Sequence, residues 1–448
     1  LATASSSKQS AYARFFKSEA TGSILLLVCT VAALAWANSP WSASYFQLLK
    51  ARIGFSWNNA TFGLTWSHWI NDGAMALFFF VVGLEIKREI VVGELSTLKK
   101  ATLPVAAALG GMLAPAFIYA AVNPAGSGAR GWGVPMATDI AFALGILALL
   151  GPRVPAGLKV FLTALAIADD LGAVLVIALF YTDTISVIPL ITAGFFLALL
   201  VVASRLKINA VSVYALLVAG VWLGVLASGI HATIAGILVA MVVPVRARIQ
   251  PRHFFAIARE RLSDLESSDL SGEVTTLNAD QMEALEDLYK ATSDVVPAGP
   301  AFERYLHPVT AYVILPLFAL FNAGVVLDSG IVTALTNPVG LGVLLGLVLG
   351  KQAGVTAASW IVIRCRLADM PAGVTWGQIY GSAILAGIGF TMALFVSDLA
   401  FEEARLLAFS KVGILAASAL CAAVGYGFLR RTHKLHRLGP DQHPVTES

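Results

Sequence analysis

Charge is what this chain has least of. Lysine, arginine, aspartate and glutamate together make up 13% of its 448 residues, and 58% of them are hydrophobic. A soluble domain carries about a quarter charged residues, so too few are present to clothe a water-facing surface. Cysteine is scarce as well. Cys29, Cys365 and Cys421 each lie in or beside an apolar run, and no disulfide framework is expected from them. The P-loop, paired CxxC, HExxH and dinucleotide fingerprints are missing from the sequence, so nothing points to ATP drive or redox chemistry. The opening LATASSSKQSAYARFFKSEA is polar and without an apolar core, and no cleavable leader is expected there.

Long apolar runs are what the chain has in excess. Each run of about 20 residues can cross a hydrocarbon layer about 30 Å thick. The Leu/Ala/Val runs are long and unbroken rather than short and alternating, which predicts helices and not a β-barrel. The expected fold is an all-α polytopic membrane protein. Twelve spans are expected, near 20–38, 67–86, 101–122, 133–150, 157–181, 186–204, 209–226, 228–245, 307–325, 337–363, 377–399 and 407–429. An even number puts both termini on one side. The net charge of +3 says little, but its distribution does. Cytoplasmic termini place Lys87, Arg88, Lys99, Lys100, Arg430, Arg431, Lys434 and Arg437 inside, and leave Lys50, Arg52, Arg130 and Arg405 outside. That asymmetry follows the preference of basic residues for the cytoplasm.

Two connections are more than loops. Residues 246–306 open with Arg246, Arg248, Arg252, Arg259 and Arg261, then turn acidic from Asp264 to Asp294. Two helices are predicted there, HFFAIARERLSDLE and ADQMEALEDLYKAT, the second capped by Asn278. The basic opening suits anionic lipid headgroups. The acidic part reads either as a solvated appendage or as an influence on cation arrival. Segment 39–63, with Pro40 and several aromatics, reads as a small external hairpin at a subunit contact.

The functional reading centres on Asp169 and Asp170, inside VFLTALAIADDLGAVLVIALFY. A charge at mid-membrane costs several kcal/mol, so such residues face a protein interior or wet cavity and mark an ion path. Two adjacent carboxylates repel, and a proton or a cation relieves them. Their hard oxygens suit Na⁺ or Li⁺, with the Thr138 hydroxyl, backbone carbonyls or water completing the shell. The competing reading is a purely structural acid pair. Pro135, Thr138, Asp139 and Gly145 fall in one span, and Gly387, Gly389 and Thr391 in another. Both patterns favour an interrupted membrane helix. Lys351, in GLVLGKQAGVTAAS, needs a negative partner, either Asp169 or the carbonyl ends of a broken helix; a snorkelling lysine is the alternative. Glu85 and Glu89 share a helix face and read as a cation or proton sensor or as an interfacial belt. His231 reads as a packing histidine or a pH regulator. Asp72 and Asp398 are expected at interfaces. From the residues alone, a coupled carrier of an organic solute, a channel and a non-transporting receptor remain as rivals. The absence of a repeated carbonyl-rich filter argues against the channel.

The segments GLEIKRE (83–89), ATDIAFALG (137–145), ALAIADDLGAV (164–174), SGIHATIAG (228–236), LHPVTAYVILPLFALFNAG (306–324), LGKQAG (349–354) and GIGFTMALF (387–395) resemble the NhaA-type Na⁺/H⁺ antiporters. The resemblance runs from about residue 12 to 430, most of 247–300 excepted. It implies twelve spans as inverted repeats, the fourth and eleventh interrupted and crossing near mid-membrane. The spans form a transmembrane domain, 12–430, with an extended cytoplasmic loop, 247–306, and a cytoplasmic tail, 431–448. It also implies exchange of one Na⁺ or Li⁺ for two H⁺, activation at alkaline pH, a homodimer and a bacterial inner membrane, with lipid around it. Neither an enzymatic activity, a cofactor beyond the transported ions nor a nucleic-acid partner is implied. By motif, Asp169 and Asp170 are the cation and proton carboxylates, with Thr138 nearby. Lys351 pairs with the first aspartate and Asp139 balances helix ends. Glu85, Glu89, Glu303 and His231 match residues of the pH response. The family's usual Glu-His pair reads Glu303-Arg304 here, and the adjacent acidic loop is enlarged.

Overall fold

A backbone surrounded by hydrocarbon has no water to bond, so it must close its own hydrogen bonds. The apolar runs accordingly become helices. The computed structural model describes residues 2–57, 60–151, 154–182, 185–206, 208, 211–247, 249–267, 279–326 and 330–437. The chain is, among the described residues, an all-α polytopic membrane protein with one short strand pair. Among the described residues, seven helices have the length and apolarity to cross a membrane: Ala20–Ala37, Leu98–Val122, Ala156–Phe180, Val187–Arg205, Ala298–Asn322, Pro338–Arg364 and Ala404–Thr432. Two further pairs are bent at a break, Ser127–Met136 with Ile140–Leu149 by 40° and Trp376–Ala386 with Phe390–Ala400 by 42°. Counting each bent pair as one span gives nine. Shorter apolar helices are Ser212–Ala227 and Thr233–Val242, and Met75–Val91 comes directly after a wide π turn, Trp69–Ala74.

Membrane helices put apolar side chains outward as well as inward. On Leu98–Val122, Leu113 and Phe117 are 66% and 75% exposed, one turn apart on one face. Ala107 and Tyr119 of the same helix are buried. In the core, Phe395 meets Phe79 at 5.5 Å and Phe318 at 6.3 Å between ring centroids. These contacts seat Phe390–Ala400 between two full helices.

Hydrogen bonds define the two ends of the bundle. At one, Asn38 donates to the Val325 carbonyl (2.8 Å), Asn123 to Pro338 (2.8 Å) and Tyr181 to Arg130 (2.7 Å). The expected hairpin lies at this end. Arg52–Trp57 pairs antiparallel with Ala60–Thr65, Arg52 opposite Thr65, and the Trp69 indole donates to the Ile53 carbonyl (3.2 Å). At the other end Lys87 donates to the Met241 carbonyl (2.7 Å), Gly299 to Pro244 (2.9 Å), and Lys99 pairs with Asp369 (3.3 Å).

The long connection holds the two expected helices, Pro251–Ser267 and Ala279–Val295, packed on each other. Arg261 ties them by reaching Asp264 (3.1 Å) within its own helix and Asp287 (3.0 Å) across the pair. The bond to Asp264 raises the Arg261 pKa further. The expected Asn278 cap and the acidic stretch 268–278 fall outside the described residues, as do 438–448 of the tail. Boundaries differ most from expectation at two places. The span expected from 307 begins at Ala298 and runs through a π turn, Thr310–Ile314, to Asn322. The turn comes just after Pro308, whose missing N–H interrupts the regular ladder. The first helix starts at Ala2, so the polar opening continues the same helix as the first span.

Candidate functional site

The site is built where the breaks of the two bent pairs meet. Ser127–Met136 coils as a tight 3-10 segment because glycines 128, 131 and 133 and Pro135 are poor α-helix formers. The chain then runs extended through Ala137 to Asp139 before Ile140–Leu149 begins. The second break falls at Gly387–Gly389. Two hydrogen bonds lock the breaks together: the Asp139 amide donates to the Ile388 carbonyl (2.7 Å) and the Thr138 hydroxyl to the Ala386 carbonyl (2.9 Å). Breaking a helix in apolar surroundings leaves orphan amides and carbonyls, and here each break satisfies the other.

Asp139 completes this junction. Its Oδ1 accepts from the Phe142 amide (2.9 Å), capping its own half-helix. Its Oδ2 accepts from the Thr391 amide (3.0 Å) and from the Thr391 hydroxyl. One carboxylate therefore meets the positive N-terminal ends of both half-helices. The Ser418 hydroxyl accepts the remaining Phe390 amide (3.1 Å). Since losing a cap destabilises by about 0.5–2 kcal/mol, Asp139→Ala, which removes two, is expected to destabilise by about 1–4 kcal/mol. Asp139→Asn, which keeps a neutral acceptor, should lose less. Thermal unfolding in detergent measures both; an Asp139→Ala melting point equal to that of the unaltered protein would remove the capping argument.

Lys351 arrives from a third direction. The π turn Gly346–Gly350 directly precedes it, and an extra residue per turn re-aims the side chains of the next helix. Gly110 and Gly354 bring its helix against Leu98–Val122 so closely that a Cβ on either would strike the other's carbonyl. At Gly111 a Cβ would lie 3.8 Å from the Lys351 ammonium, so the lysine stem runs over bare backbone. The ammonium is fully buried and reaches Asp169 Oδ2 at 2.6 Å. Asp169 and Asp170, on Ala156–Phe180, are each 1% exposed. Oδ1 of Asp169 and Oδ1 of Asp170 are both buried and accept no hydrogen bond. The charges that reach Asp170 through space are Asp169, Glu85, Asp139 and Lys351. Asp170 thus lies in the field of three other carboxylates and one ammonium, and one oxygen of Asp169 and one of Asp170 are unengaged. Such a set fits a proton or a small hard cation.

The remaining expected residues divide into two groups. Glu89 and Glu303 meet at the Lys87 end of the bundle through Arg88, at 3.2 and 3.4 Å, and Glu89 also accepts the Glu94 amide (2.9 Å). His231 lies at the opposite, hairpin end, where its charge reaches Asp72. Asp398, expected at an interface, is tied to Lys411 at 2.8 Å. Sequence reasoning singles out Thr391 without its bond to Asp139, and misses Ser418. Thr391 carries a signal, a hydroxyl two residues after a helix-breaking glycine. Ser418, in LAASALC, looks like any other small residue of a membrane helix.

The sequence profile of the Na⁺/H⁺ antiporter 1 family matches residues 13–429. Among curated relatives, the Na⁺/H⁺ antiporter NhaA of Oleidesulfovibrio alaskensis is 47% identical over 420 residues, covering 94% of this chain and 93% of the relative. NhaA 2 of Syntrophotalea carbinolica is 47% identical over 423 residues, covering 93% and 95%. NhaA of Koribacter versatilis is 43% identical over 439 residues, covering 98% and 95%.

Proposed function

The chain belongs to the NhaA-type Na⁺/H⁺ antiporter family, and from that premise we propose that it exports one Na⁺ or Li⁺ for two H⁺ at Asp169 and Asp170. One observation carries the site assignment: a buried pair of carboxylates, each with an oxygen that accepts no hydrogen bond, beside a buried lysine. Membrane-depth carboxylates left open in this way serve an ion path better than a scaffold. Thr138 and Asp139 belong to the crossing that frames the site. Asp169 and Asp170 are each 1% exposed, and burial this complete suits a bare ion better than an organic solute.

Exchange follows from competition at this site. Na⁺ entering from the cytoplasm takes the carboxylate oxygens, and protons leave Asp170 and the Asp169–Lys351 unit. A rocking movement turns the site outward, Na⁺ departs, and protons bind for the return. Two protons entering for each Na⁺ leaving carry one net charge inward, so the membrane potential contributes about 2.3 kcal/mol per 100 mV per cycle. Export can then proceed at alkaline pH, while acid inhibits by filling the site with protons. Glu85, within electrostatic reach of Asp170, and the Glu89–Arg88–Glu303 cluster set the pH response at the cytoplasmic mouth; His231 modulates it from the other face.

Twelve crossings in inverted repeats complete the proposed topology. They are the seven long helices, the two bent pairs, Ser212–Ala227, Thr233–Val242 and Met75–Val91. Basic residues then place both termini, the paired helices of 247–306 and the tail 431–448 in the cytoplasm of a bacterial inner membrane. The 52–65 hairpin faces outward as the contact of a homodimer. In liposomes containing the purified protein, Na⁺ or Li⁺ is expected to drive proton movement, faster when an imposed voltage favours inward positive charge. A response that ignores voltage would disprove the two-for-one exchange; none at all would disprove antiport.

A further inference from the structure

A second ion pair lies apart from the central carboxylates. Asp398 lies near the C-terminal end of Phe390–Ala400 and Lys411 near the start of Ala404–Arg437. The ammonium meets Asp398 Oδ1 at 2.8 Å, with the two side chains 15% and 11% exposed. Asp398 Oδ2 is buried and accepts no hydrogen bond. This is the same half-satisfied state found at Asp169, where one oxygen is held by lysine and the other is left open. The two sites share an element, because Phe390–Ala400 carries Thr391 on Asp139 at one end and Asp398 toward the other. Eight residues of helix separate Phe390 from Asp398, about 12 Å. One helix therefore connects the junction to the hairpin end, through the apolar residues Met392 to Val396.

Other polar groups lie at the same end of the bundle. The Ser397 hydroxyl donates to the Ser410 hydroxyl at 2.8 Å. Tyr45, on Ser42–Lys50, donates to the Leu320 carbonyl (2.9 Å), at the last turn of Leu315–Asn322. Burial pushes the Tyr45 phenol up to about 12, with the negative charge of Asp398 adding to it, so the field of that carboxylate reaches the tyrosine. Asn71 and Asn322 exchange hydrogen bonds at 2.9 and 3.3 Å near the same end. An ion pair serving as a staple alone has no use for an open, buried oxygen, which carries a desolvation penalty.

We propose that Asp398 and Lys411 form a second, low-affinity station for the alkali cation at the outer mouth, between the medium and the central carboxylates. Na⁺ takes Asp398 Oδ2 while the Lys411 ammonium yields, so the lysine competes with the ion it admits. The inference rests on the antiport reading and on the hairpin end facing outward. It assigns this pair the apparent affinity of the outer face.

The test compares faces. In proteoliposomes of uniform orientation, the half-saturating Na⁺ concentration is measured separately from each side. Asp398→Asn is expected to raise the outer value about three- to ten-fold, the size of one lost charged ligand in a half-wet site, and to shift the inner value far less. Lys411→Gln, which removes the competitor, is expected to lower the outer value. Equal shifts on both faces, or an unchanged outer face, would mean a staple and overturn the proposal. Should Asp398→Asn fail to assemble, Lys411→Gln and the paired neutral variant Asp398→Asn/Lys411→Gln decide it, the pair being expected to raise the outer value. Absence of Na⁺-dependent proton flux in the unaltered protein would instead count against the antiport reading.

Discussion

Asp170→Asn is expected to abolish Na⁺-driven proton movement while leaving the protein folded in the membrane. The two halves of that outcome have different causes. An amide has no negative charge with which to replace the hydration of a bare alkali ion, and it cannot release and recapture a proton in the cycle. Stability should survive because the Asp170 Oδ1 position forms no hydrogen bond and the neighbouring charges of Asp169, Glu85 and Asp139 repel a carboxylate there. Removing the charge relieves that repulsion, so the melting temperature is expected to stay level or rise. Asp169→Asn differs, since it breaks the 2.6 Å pair with Lys351. Everted vesicles with a fluorescent proton probe supply the transport readout and thermal unfolding the other. Near-normal exchange by Asp170→Asn would sink the site; lost exchange with lost folding would reduce it to a structural residue.

Much of this site is legible in the sequence alone, and the reason is cost. A carboxylate in a hydrocarbon-length run is so unfavourable that Asp139, Asp169 and Asp170 stand out with no knowledge of neighbours, as Lys351 does. Helix interruption is similarly visible, because glycine and proline act through local backbone geometry. Partner choice is not visible. Lys351 has two candidate partners in the sequence, and the π turn before it together with the Gly110–Gly354 approach turns it to Asp169. Asp398 and Lys411 look like separate residues near span ends, because nothing in a sequence shows that two helices bring them to 2.8 Å. Nor can periodicity reveal that one carboxylate, Asp139, caps two half-helices from distant parts of the chain. Glu303 and Glu89 share Arg88 for a similar reason: Ala298–Val309 begins earlier than hydropathy suggests, which carries Glu303 to the end of Met75–Val91.

Lys351→Ala carries the second large effect, and it separates two roles that the geometry joins. As a structural residue, Lys351 neutralises Asp169 at 2.6 Å in full burial. Removing one partner of such a pair costs about 3–5 kcal/mol because the other charge is left uncompensated, so a large fall in melting temperature is expected. The neutral pair Asp169→Asn/Lys351→Met should recover most of it, since no charge is then left buried alone. As a proton carrier, Lys351 supplies one of the two protons exchanged for each Na⁺. Its loss then leaves one proton for one Na⁺ and no net charge moved, and the contribution of about 2.3 kcal/mol per 100 mV that drives export vanishes from the cycle. Whatever exchange remains in Lys351→Ala proteoliposomes is therefore expected to be indifferent to imposed voltage, whereas the unaltered protein accelerates. A destabilised variant that still responds to voltage as before would confine Lys351 to holding Asp169, and the second proton would have to come from the aspartates themselves.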